Sequence, residues 1–134
     1  MDDCLFCKII KGEIPCYKIY EDEYTLAFLD IAKDVDGHTL VIPKAHTSSL
    51  LDCNEETLNH VMKTVKFISS HYVENCGFTG INLINNNGSS AEQAINHLHI
   101  HIIPRLDNDN IYVFPKFQGA KYSLEDTLNK LKIN

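Results

Sequence analysis

Long apolar runs are missing from this 134-residue sequence, and no stretch approaches the roughly 18 to 20 residues that a membrane span needs. Residues 1–3 are one Met and two Asp, so the basic segment that opens a secretory signal is missing as well. We therefore expect a cytoplasmic protein that has no membrane partner.

An excess of basic residues is also missing. The chain has 12 Lys and Arg against 18 Asp and Glu, which gives a formal net charge of −6, and the basic residues are scattered along it. A polynucleotide backbone would meet net repulsion instead of a basic face. We expect no nucleic-acid partner, whereas a small nucleotide is compatible with this charge.

The sequence contains no internal repeat, no low-complexity tract and no linker rich in Pro, Gly or Ser. Hydrophobic residues make up 44% and charged residues 22%, which is typical of a chain that buries a core without disulfides. These features predict one domain over residues 1–134.

The five cysteines are an odd number, which together with the missing export signal makes a disulfide framework unexpected. Metal ligation and simple burial remain as explanations. Cys16, Cys53 and Cys76 have no ligand spacing, and free cysteine commonly packs as a small hydrophobic residue. We predict that these three are buried.

Apolar residues recur every three or four positions from about 54 to 76, which predicts a long helix with Asn54 as its cap and Gly77 as its end. Shorter helices are predicted over 4–10 and 123–132. Strands are predicted over 17–20, 24–29, 38–42, 80–84 and 97–103, the last one ending at Pro104.

The most informative segment is His97-Leu-His99-Ile-His101-Ile-Ile. Period-two alternation puts its three histidines on one face of a strand and its aliphatic residues on the other, where they can join the core. Three imidazoles on one face are hard to explain as packing, because each buried ring nitrogen needs a partner and the group titrates near neutral pH.

Three interpretations of these histidines are open. They could form an exposed polar face, or they could bind a metal ion together, since imidazole is a common zinc ligand. In the third interpretation one imidazole attacks phosphorus while its neighbours fix its tautomer and hold the phosphate oxygens. Such a nucleophile needs its second nitrogen to donate to an acceptor, for example a backbone carbonyl.

The pattern His-φ-His-φ-His-φ-φ, in which φ is apolar, resembles the signature of the histidine triad superfamily. Further segments stand in the order and spacing of small bacterial-type members of that family: CLFCKII at 4–10, AFLDI at 27–31, GHTLVIPKAH at 37–46 and NNNG at 85–88. The resemblance covers about residues 4–105 and leaves 106–134 as a C-terminal extension.

The resemblance implies roles for the triad residues. His99, the middle histidine, would be the nucleophile that becomes nucleotidylated. His101 would hold the phosphate and assist the leaving group, and His97 would complete the catalytic triad.

The resemblance also implies contacts to the nucleotide. Asp30 would accept hydrogen bonds from the ribose hydroxyls, as suits a carboxylate facing a vicinal diol, and Ile31 would line the base pocket. Asn86 would contact the sugar-phosphate end, and Gln93 would contact the phosphate or the bridging atom. Without the triad, Asp30 would be interpreted as a turn or cap residue and Asn86 as an ordinary loop residue.

Two positions depart from the family pattern, in which Gly-Gln-Ser commonly precedes the triad. This chain has Glu92-Gln93-Ala94 instead. The missing glycine changes how closely the backbone can approach a phosphate, and the missing serine removes a hydroxyl on the leaving-group side. We expect both changes to affect substrate preference and rate rather than the type of reaction.

Cys4 and Cys7 are separated by two residues, a spacing that lets both thiolates reach one metal ion. The resemblance implies that His46 and His97 complete a structural zinc site. A redox dithiol and two incidental cysteines are the alternatives, although the strand that precedes a thioredoxin-like motif is not found here.

As a whole, the resemblance implies an α+β fold with about five antiparallel strands, one long helix and short helices at both ends, commonly as a homodimer. It implies hydrolysis of purine nucleoside phosphoramidates or other conjugates of AMP, with no cofactor in the chemistry. The alternatives are a dinucleoside polyphosphate hydrolase, a nucleotide-binding regulatory module with little turnover, and a zinc-dependent interaction domain. We expect the tail, which contains Tyr112, Phe114 and Phe117, to pack on the domain.

Overall fold

The computed structural model describes residues 3–134, so residues 1 and 2 of the acidic start lie outside the described part. The elements in chain order are α1 (Leu5–Ile10), β1 (Lys18–Glu21), β2 (Thr25–Leu29), β3 (Thr39–Pro43), α2 (Glu55–Asn75), β4 (Gly80–Ile84), β5 (Ile100–Arg105) and α3 (Leu124–Leu131). The strands form one antiparallel sheet in the order β1-β2-β3-β5-β4. The predicted α+β class, with five strands, one long helix and two short ones, is confirmed.

The long helix α2 begins and ends where the sequence predicts. The side chain of Asn54 accepts a hydrogen bond from the Thr57 amide and thereby caps the first turn. Gly77 adopts a positive φ of 86°, which lets the Phe78 amide return to the carbonyl of Tyr72. None of the helices among residues 3–134 is both long enough and apolar enough to span a membrane.

Two apolar clusters lie on the two faces of the sheet. The α2 cluster includes Val61, Val65, Ile68, Leu98, Ile100 and Ile102. The α1 cluster consists of Phe6, Leu26, Phe28, Leu40 and Ile42. Burying one such aliphatic side chain contributes roughly 1.5–3 kcal/mol, so these clusters hold both helices against the sheet.

The histidine segment differs from its predicted strand at both ends. β5 begins at Ile100, so His97 and His99 precede the strand, and it continues through Pro104 to Arg105. Proline is tolerated there because pairing with β3 stops at Ile102, which leaves β4 as the only paired neighbour of the last residues.

Two predictions about burial are wrong. Cys76 is exposed at the end of α2, whereas Cys16 and Cys53 are half-buried. In the tail, Tyr112, Phe114 and Phe117 are exposed instead of packing on the domain. The apolar character of these residues therefore did not show whether another part of the same chain covers them.

Candidate active site and metal centre

The triad histidines lie in a row on the α1 face of the sheet. The ring of Phe6 meets His97 and His99 edge-on, with centroid distances of 5.8 and 5.2 Å. The ring of His101 continues the row at 5.0 Å from that of His99. The predicted alternation therefore holds, since the intervening aliphatic residues face α2.

His99 is held in one tautomer by the main chain. Its Nδ1 lies 2.7 Å from the carbonyl oxygen of His97. A carbonyl oxygen can only accept, so Nδ1 carries the proton and the Nε2 of the neutral ring keeps its lone pair. The carbonyl of His99 itself accepts a 2.9 Å hydrogen bond from the side-chain amide of Asn85, which fixes the backbone at this point.

His101 belongs to a chain of hydrogen bonds that the sequence did not indicate. Its Nδ1 lies 2.8 Å from Nε2 of His38, and Nδ1 of His38 donates to the carboxylate of Asp34, also at 2.8 Å. Burial, together with the neighbouring His99 and His38, lowers the pKa of His101 to about 4. The ring of His101 is therefore neutral at physiological pH.

Asp30 lies between these hydrogen-bonded histidines and an apolar cleft. Its Oδ2 lies 3.7 Å from Nε2 of His38, while its Oδ1 accepts a hydrogen bond from the Ala32 amide. The cleft has a volume of about 280 Å³, and its lining includes Phe6, Phe28, Asp30, Ile31, Leu40 and Ile95. A flat apolar group can occupy such a cleft while a polar group attached to it faces Asp30.

A second cleft of about 330 Å³ opens on the other side of His101, and its lining includes Asp34, His38, Asn86, Ile111 and Val113. Asn86 thus lines the same cleft as His38 and His101, and its contact with a nucleotide stays a prediction. A larger groove of about 740 Å³ lies between β1, β2 and α2, and none of the triad histidines lines it.

Gln93 does not point freely into the site. Its side-chain amide donates to the carbonyls of Ser48 and Ile95, and its oxygen accepts from the Gly88 amide. All of these partners are main-chain groups, so the side chain of Gln93 braces the loop that leads to His97.

The two cysteines and two histidines of the predicted zinc site come together. The ligand atoms of Cys4, Cys7, His46 and His97 all lie within 4.8 Å of one another. Nδ1 of His97 lies 3.3 Å from Sγ of Cys4, and Nδ1 of His46 lies 3.3 Å from Sγ of Cys7. A tetrahedral zinc ion with bond lengths of about 2.3 Å to sulfur and 2.0 Å to nitrogen separates such atoms by about 3.5 Å, so the residues fit zinc.

The tautomer of His97 also suits a metal ligand. Its Nε2 donates to the carbonyl of Pro43 at 2.9 Å, so the lone pair of the neutral ring is on Nδ1, which faces the two sulfur atoms. Burial lowers the pKa of His97 and keeps the ring neutral, whereas burial and the adjacent Cys4 raise the pKa of the Cys7 thiol. A bound cation would offset the cost of two thiolates at this place.

Among the described residues, no metal-ligand group contains all three triad histidines. A second group of three, Asp30, His38 and His101, has ligand atoms within 4.8 Å of one another. Its two nitrogens are only 2.8 Å apart, which is a hydrogen bond and is shorter than the roughly 3.3 Å between nitrogen ligands on tetrahedral zinc. We therefore treat this group as a hydrogen-bonded network.

Comparison with known proteins agrees with this geometry. The sequence model of the HIT domain family matches residues 11–108 of this chain. The chain belongs to the HIT domain family. A HIT-like protein of Methanocaldococcus jannaschii is 45% identical over 130 residues, which are 96% of this chain and 98% of that protein. The adenosine 5′-monophosphoramidase of Schizosaccharomyces pombe is 42% identical over 102 residues, 76% of this chain and 74% of that protein.

Solved structures of HIT proteins share the fold. A HIT family protein from Bacillus anthracis superposes with a TM-score of 0.83 at 42% identity, covering 96% of this chain and 92% of that one. A zinc-bound histidine triad family protein from Mycobacterium smegmatis gives a TM-score of 0.78 at 37% identity, covering 84% of this chain and 81% of that one.

In this HIT domain, sequence reasoning missed His38 and Asp34 as parts of the site. The ring of His38 is the link between Asp34 and His101. A signal was present in the glycine before it: Gly37 has a φ of 82°, and a Cβ there would meet the side chain of Pro104 at 3.0 Å. A glycine at position 37 therefore lets the backbone before His38 lie close to β5, the strand that contains His101.

Proposed function

We propose that this HIT domain hydrolyses conjugates of purine nucleoside monophosphates, phosphoramidates in particular, through a nucleotidyl intermediate on Nε2 of His99. The observation that carries the proposal is the hydrogen bond from Nδ1 of His99 to the carbonyl of His97, which leaves Nε2 unprotonated. The name of the Schizosaccharomyces pombe relative, an adenosine 5′-monophosphoramidase, supports the substrate class.

The proposed substrate follows the order of groups along the site. The purine enters the apolar cleft beside Phe28 and Ile31, and the ribose hydroxyls donate to the carboxylate of Asp30. The phosphate then lies between His99 and Asn86, next to the ring of His101. In this pose Gln93 does not contact the phosphate directly. Its hydrogen bonds to main-chain carbonyls fix the position of the backbone before His97.

The proposed chemistry has two displacements at phosphorus. In the first, Nε2 of His99 forms a bond to phosphorus while the bond to the amine or other leaving group breaks, and the leaving group takes a proton from His101. In the second, water attacks phosphorus, the bond to His99 breaks, and the proton lost by water returns to His101. The products are the free leaving group and a nucleoside monophosphate.

Positioning supplies most of the proposed rate enhancement. The His99 ring is fixed by a main-chain carbonyl and by the edge of Phe6, so little freedom is lost when it attacks. Hydrogen-bond donors around the phosphate stabilise the charge on its equatorial oxygens. The chemistry uses side chains alone.

We also propose a structural zinc ion bound by Cys4, Cys7, His46 and His97. The sulfur–nitrogen distances of 3.3 Å and the zinc-bound relative from Mycobacterium smegmatis support it. The metal would join the start of α1 to the loop after β3 and to the segment before β5. Its role is to hold the triad segment, since Nδ1 of His97 faces the sulfurs and not the phosphate side.

A homodimer is the assembly that we propose. The apolar residues Leu124, Leu128 and Leu131 of α3 recur at helical spacing and are exposed to 87%, 60% and 67%. An apolar stripe that is so open in one chain favours contact with another surface. A second copy of this chain is the occupant that the resemblance to homodimeric relatives implies.

The test of the proposed reaction uses His99→Ala and, as a matched control, His71→Ala, which changes an exposed histidine of α2. Each protein is mixed with adenosine 5′-phosphoramidate, and intact-protein mass spectrometry follows the nucleotidyl adduct while a release assay follows AMP. We expect the adduct and AMP with wild type and His71→Ala. Loss of the nucleophile should lower AMP release by on the order of 10⁴-fold or more.

Other results would favour the alternatives. If wild type binds AMP but forms no adduct and releases no product, the chain is a nucleotide-binding module and the proposed reaction is rejected. If the adduct forms from a dinucleoside polyphosphate and not from the phosphoramidate, the hydrolase has the other substrate class.

A further inference from the structure

Asp34 has no role in the reaction described so far, although its carboxylate lies at the end of the hydrogen-bond chain that reaches His101. Its Oδ1 accepts from Nδ1 of His38 and from the Val35 amide, both at 2.8 Å. An ionised carboxylate can only accept, so Nδ1 of His38 must carry the proton. Burial alone would raise the pKa of Asp34, but these hydrogen bonds bring it below its usual value, so the carboxylate is charged at neutral pH.

We propose that Asp34 is a positioning residue for the leaving-group acid: it fixes the Nδ1–H form of His38 and balances the charge when His38 holds a second proton. The inference rests on the nucleotidyl transfer proposed above and identifies the group that controls its proton. Asp34 lines the cleft beside His101, and its proposed action on the reaction runs through its hydrogen bond to His38 and from there to His101.

The fixed tautomer gives the two rings only two arrangements. When His38 is neutral, its Nε2 accepts from Nδ1–H of His101, and Nε2 of His101 has a lone pair. When His38 holds a second proton, its Nε2–H donates to Nδ1 of His101, and the neutral His101 carries its proton on Nε2 instead. One proton on His38 thus converts the substrate-facing nitrogen of His101 from an acceptor into a donor.

These two arrangements account for every proton in the cycle. As the leaving group departs, it takes the Nε2 proton of His101, and Nδ1 of His101 takes the proton from Nε2 of His38. As water attacks the nucleotidyl intermediate, its proton passes to Nε2 of His101, and the Nδ1 proton of His101 returns to Nε2 of His38. The proton on Nδ1 of His38 stays with Asp34 throughout.

The charges around the pair determine where the extra proton resides. Asp34 and Asp30 face His38 at 2.8 and 3.7 Å, whereas the half-buried ring of His101 lies between His38 and His99. A positive charge is therefore stabilised on His38 and not on His101. Without Asp34, His38 would lose both its fixed tautomer and the nearer of its two negatively charged neighbours.

The test compares Asp34→Ala and Asp34→Asn with Asp36→Asn, a matched control that changes another exposed carboxylate of the same loop. Two substrates are used: adenosine 5′-phosphoramidate, whose amine must be protonated to leave, and the 4-nitrophenyl ester of AMP, whose phenolate leaves without a proton. Rapid-quench mass spectrometry measures the rate at which the nucleotidyl adduct forms.

We expect Asp34→Ala to slow adduct formation from the phosphoramidate by about 100-fold, within the range of general acid catalysis, and to leave the rate with the nitrophenyl ester unchanged. Asp34→Asn should have a smaller effect, because its amide oxygen still accepts from His38 but carries no charge. Equal losses with both substrates would mean a merely structural role, and no loss with either would reject the inference.

A spectroscopic measurement separates this inference from the proposed reaction. The ¹⁵N shifts of the His38 ring should report protonation at Nδ1 in wild type and Asp36→Asn, and a mixture of tautomers in Asp34→Ala. If wild type forms no adduct, the proposed reaction fails and these shifts still decide the role of Asp34. If wild type turns over and all variants give the same shifts, only the role of Asp34 is rejected.

Discussion

Glu92 has a backbone conformation that suits glycine better than glutamate. It has φ 66° and ψ 30°, a left-handed conformation that costs a residue with a Cβ roughly 1–2 kcal/mol and costs glycine almost nothing. Histidine triad relatives commonly have glycine here. Having glutamate instead of glycine at position 92 therefore strains the backbone of the loop before the triad.

We predict that Glu92→Gly raises the free energy of unfolding by about 0.5–1 kcal/mol, because the strain removed exceeds the entropy that glycine adds to the unfolded chain. Urea unfolding measures the change. Ala91→Gly is the control, since Ala91 is also exposed but lacks a positive φ, and this change should lower the free energy of unfolding by a similar amount. A loss of stability in both variants would contradict the prediction.

At the scale of elements, α3 is a helix whose apolar side has no cover within one chain. Ser123 caps it by accepting from the Asp126 amide, and Leu124, Leu128 and Leu131 lie on one side. The tail that carries α3 is anchored at its start, where the guanidinium of Arg105 binds both the carboxylate of Asp109 and the carbonyl of Ile111. An anchored tail with an open apolar helix is suited to reach a second subunit.

We predict that Leu128→Lys weakens the proposed homodimer by about 10- to 100-fold, since burial of one leucine contributes roughly 1.5–3 kcal/mol. Asn129→Lys is the control, because it adds the same charge at the next, exposed position of α3. Sedimentation equilibrium gives the dissociation constants. Equal constants for the two variants would place the dimer contact elsewhere.

The helices and strands could be predicted because each has a local signal. Asn54 and Gly77 delimit α2, and the alternation of residues 97–103 identifies the triad and its buried side. The predicted end of β5 before Pro104 was wrong. A proline interrupts a strand where both neighbours are paired with it, and Pro104 pairs only with β4. The exposure of the tail was missed because an apolar stripe shows that a helix has a packing face, and does not show which surface packs on it.

The site was predicted less completely, because its contacts join distant parts of the chain. The role proposed for His99 follows from the resemblance of the triad pattern and stays a prediction, whereas the spacing of Cys4 and Cys7 suggests a metal by itself. The contact of His38 with His101 spans 63 residues, and no periodicity connects them. The histidine ligands of the metal centre followed from resemblance alone.

For the whole molecule, the proposed zinc site is the point where three segments meet. Cys4 and Cys7 belong to the start of α1, His46 follows β3, and His97 precedes β5. Phe6, between the two cysteines, belongs to the α1 cluster and meets the rings of His97 and His99 edge-on. The metal proposed here would therefore join the N-terminal segment, the core and the triad.

We predict that the purified protein contains one zinc ion per chain and that a double variant, Cys4→Ser with Cys7→Ser, contains none. Its unfolding temperature should be about 10 °C lower, the shift expected when about 3 to 4 kcal/mol of linked binding is removed. Cys53→Ser, which changes a half-buried cysteine outside the group, should keep both the zinc and the unfolding temperature. Metal analysis and calorimetry check this, and equal zinc contents in all three proteins would reject the site.

The two halves of the reaction centre differ in how readily mutation can alter them. The acceptors for His97 and His99 are main-chain carbonyls, so no single substitution deletes either one. His38 and His101 are instead oriented by the side chain of Asp34, which a single base change can replace. In the proposed reaction, natural variation can therefore change which leaving groups are accepted while the proposed nucleophile stays the same.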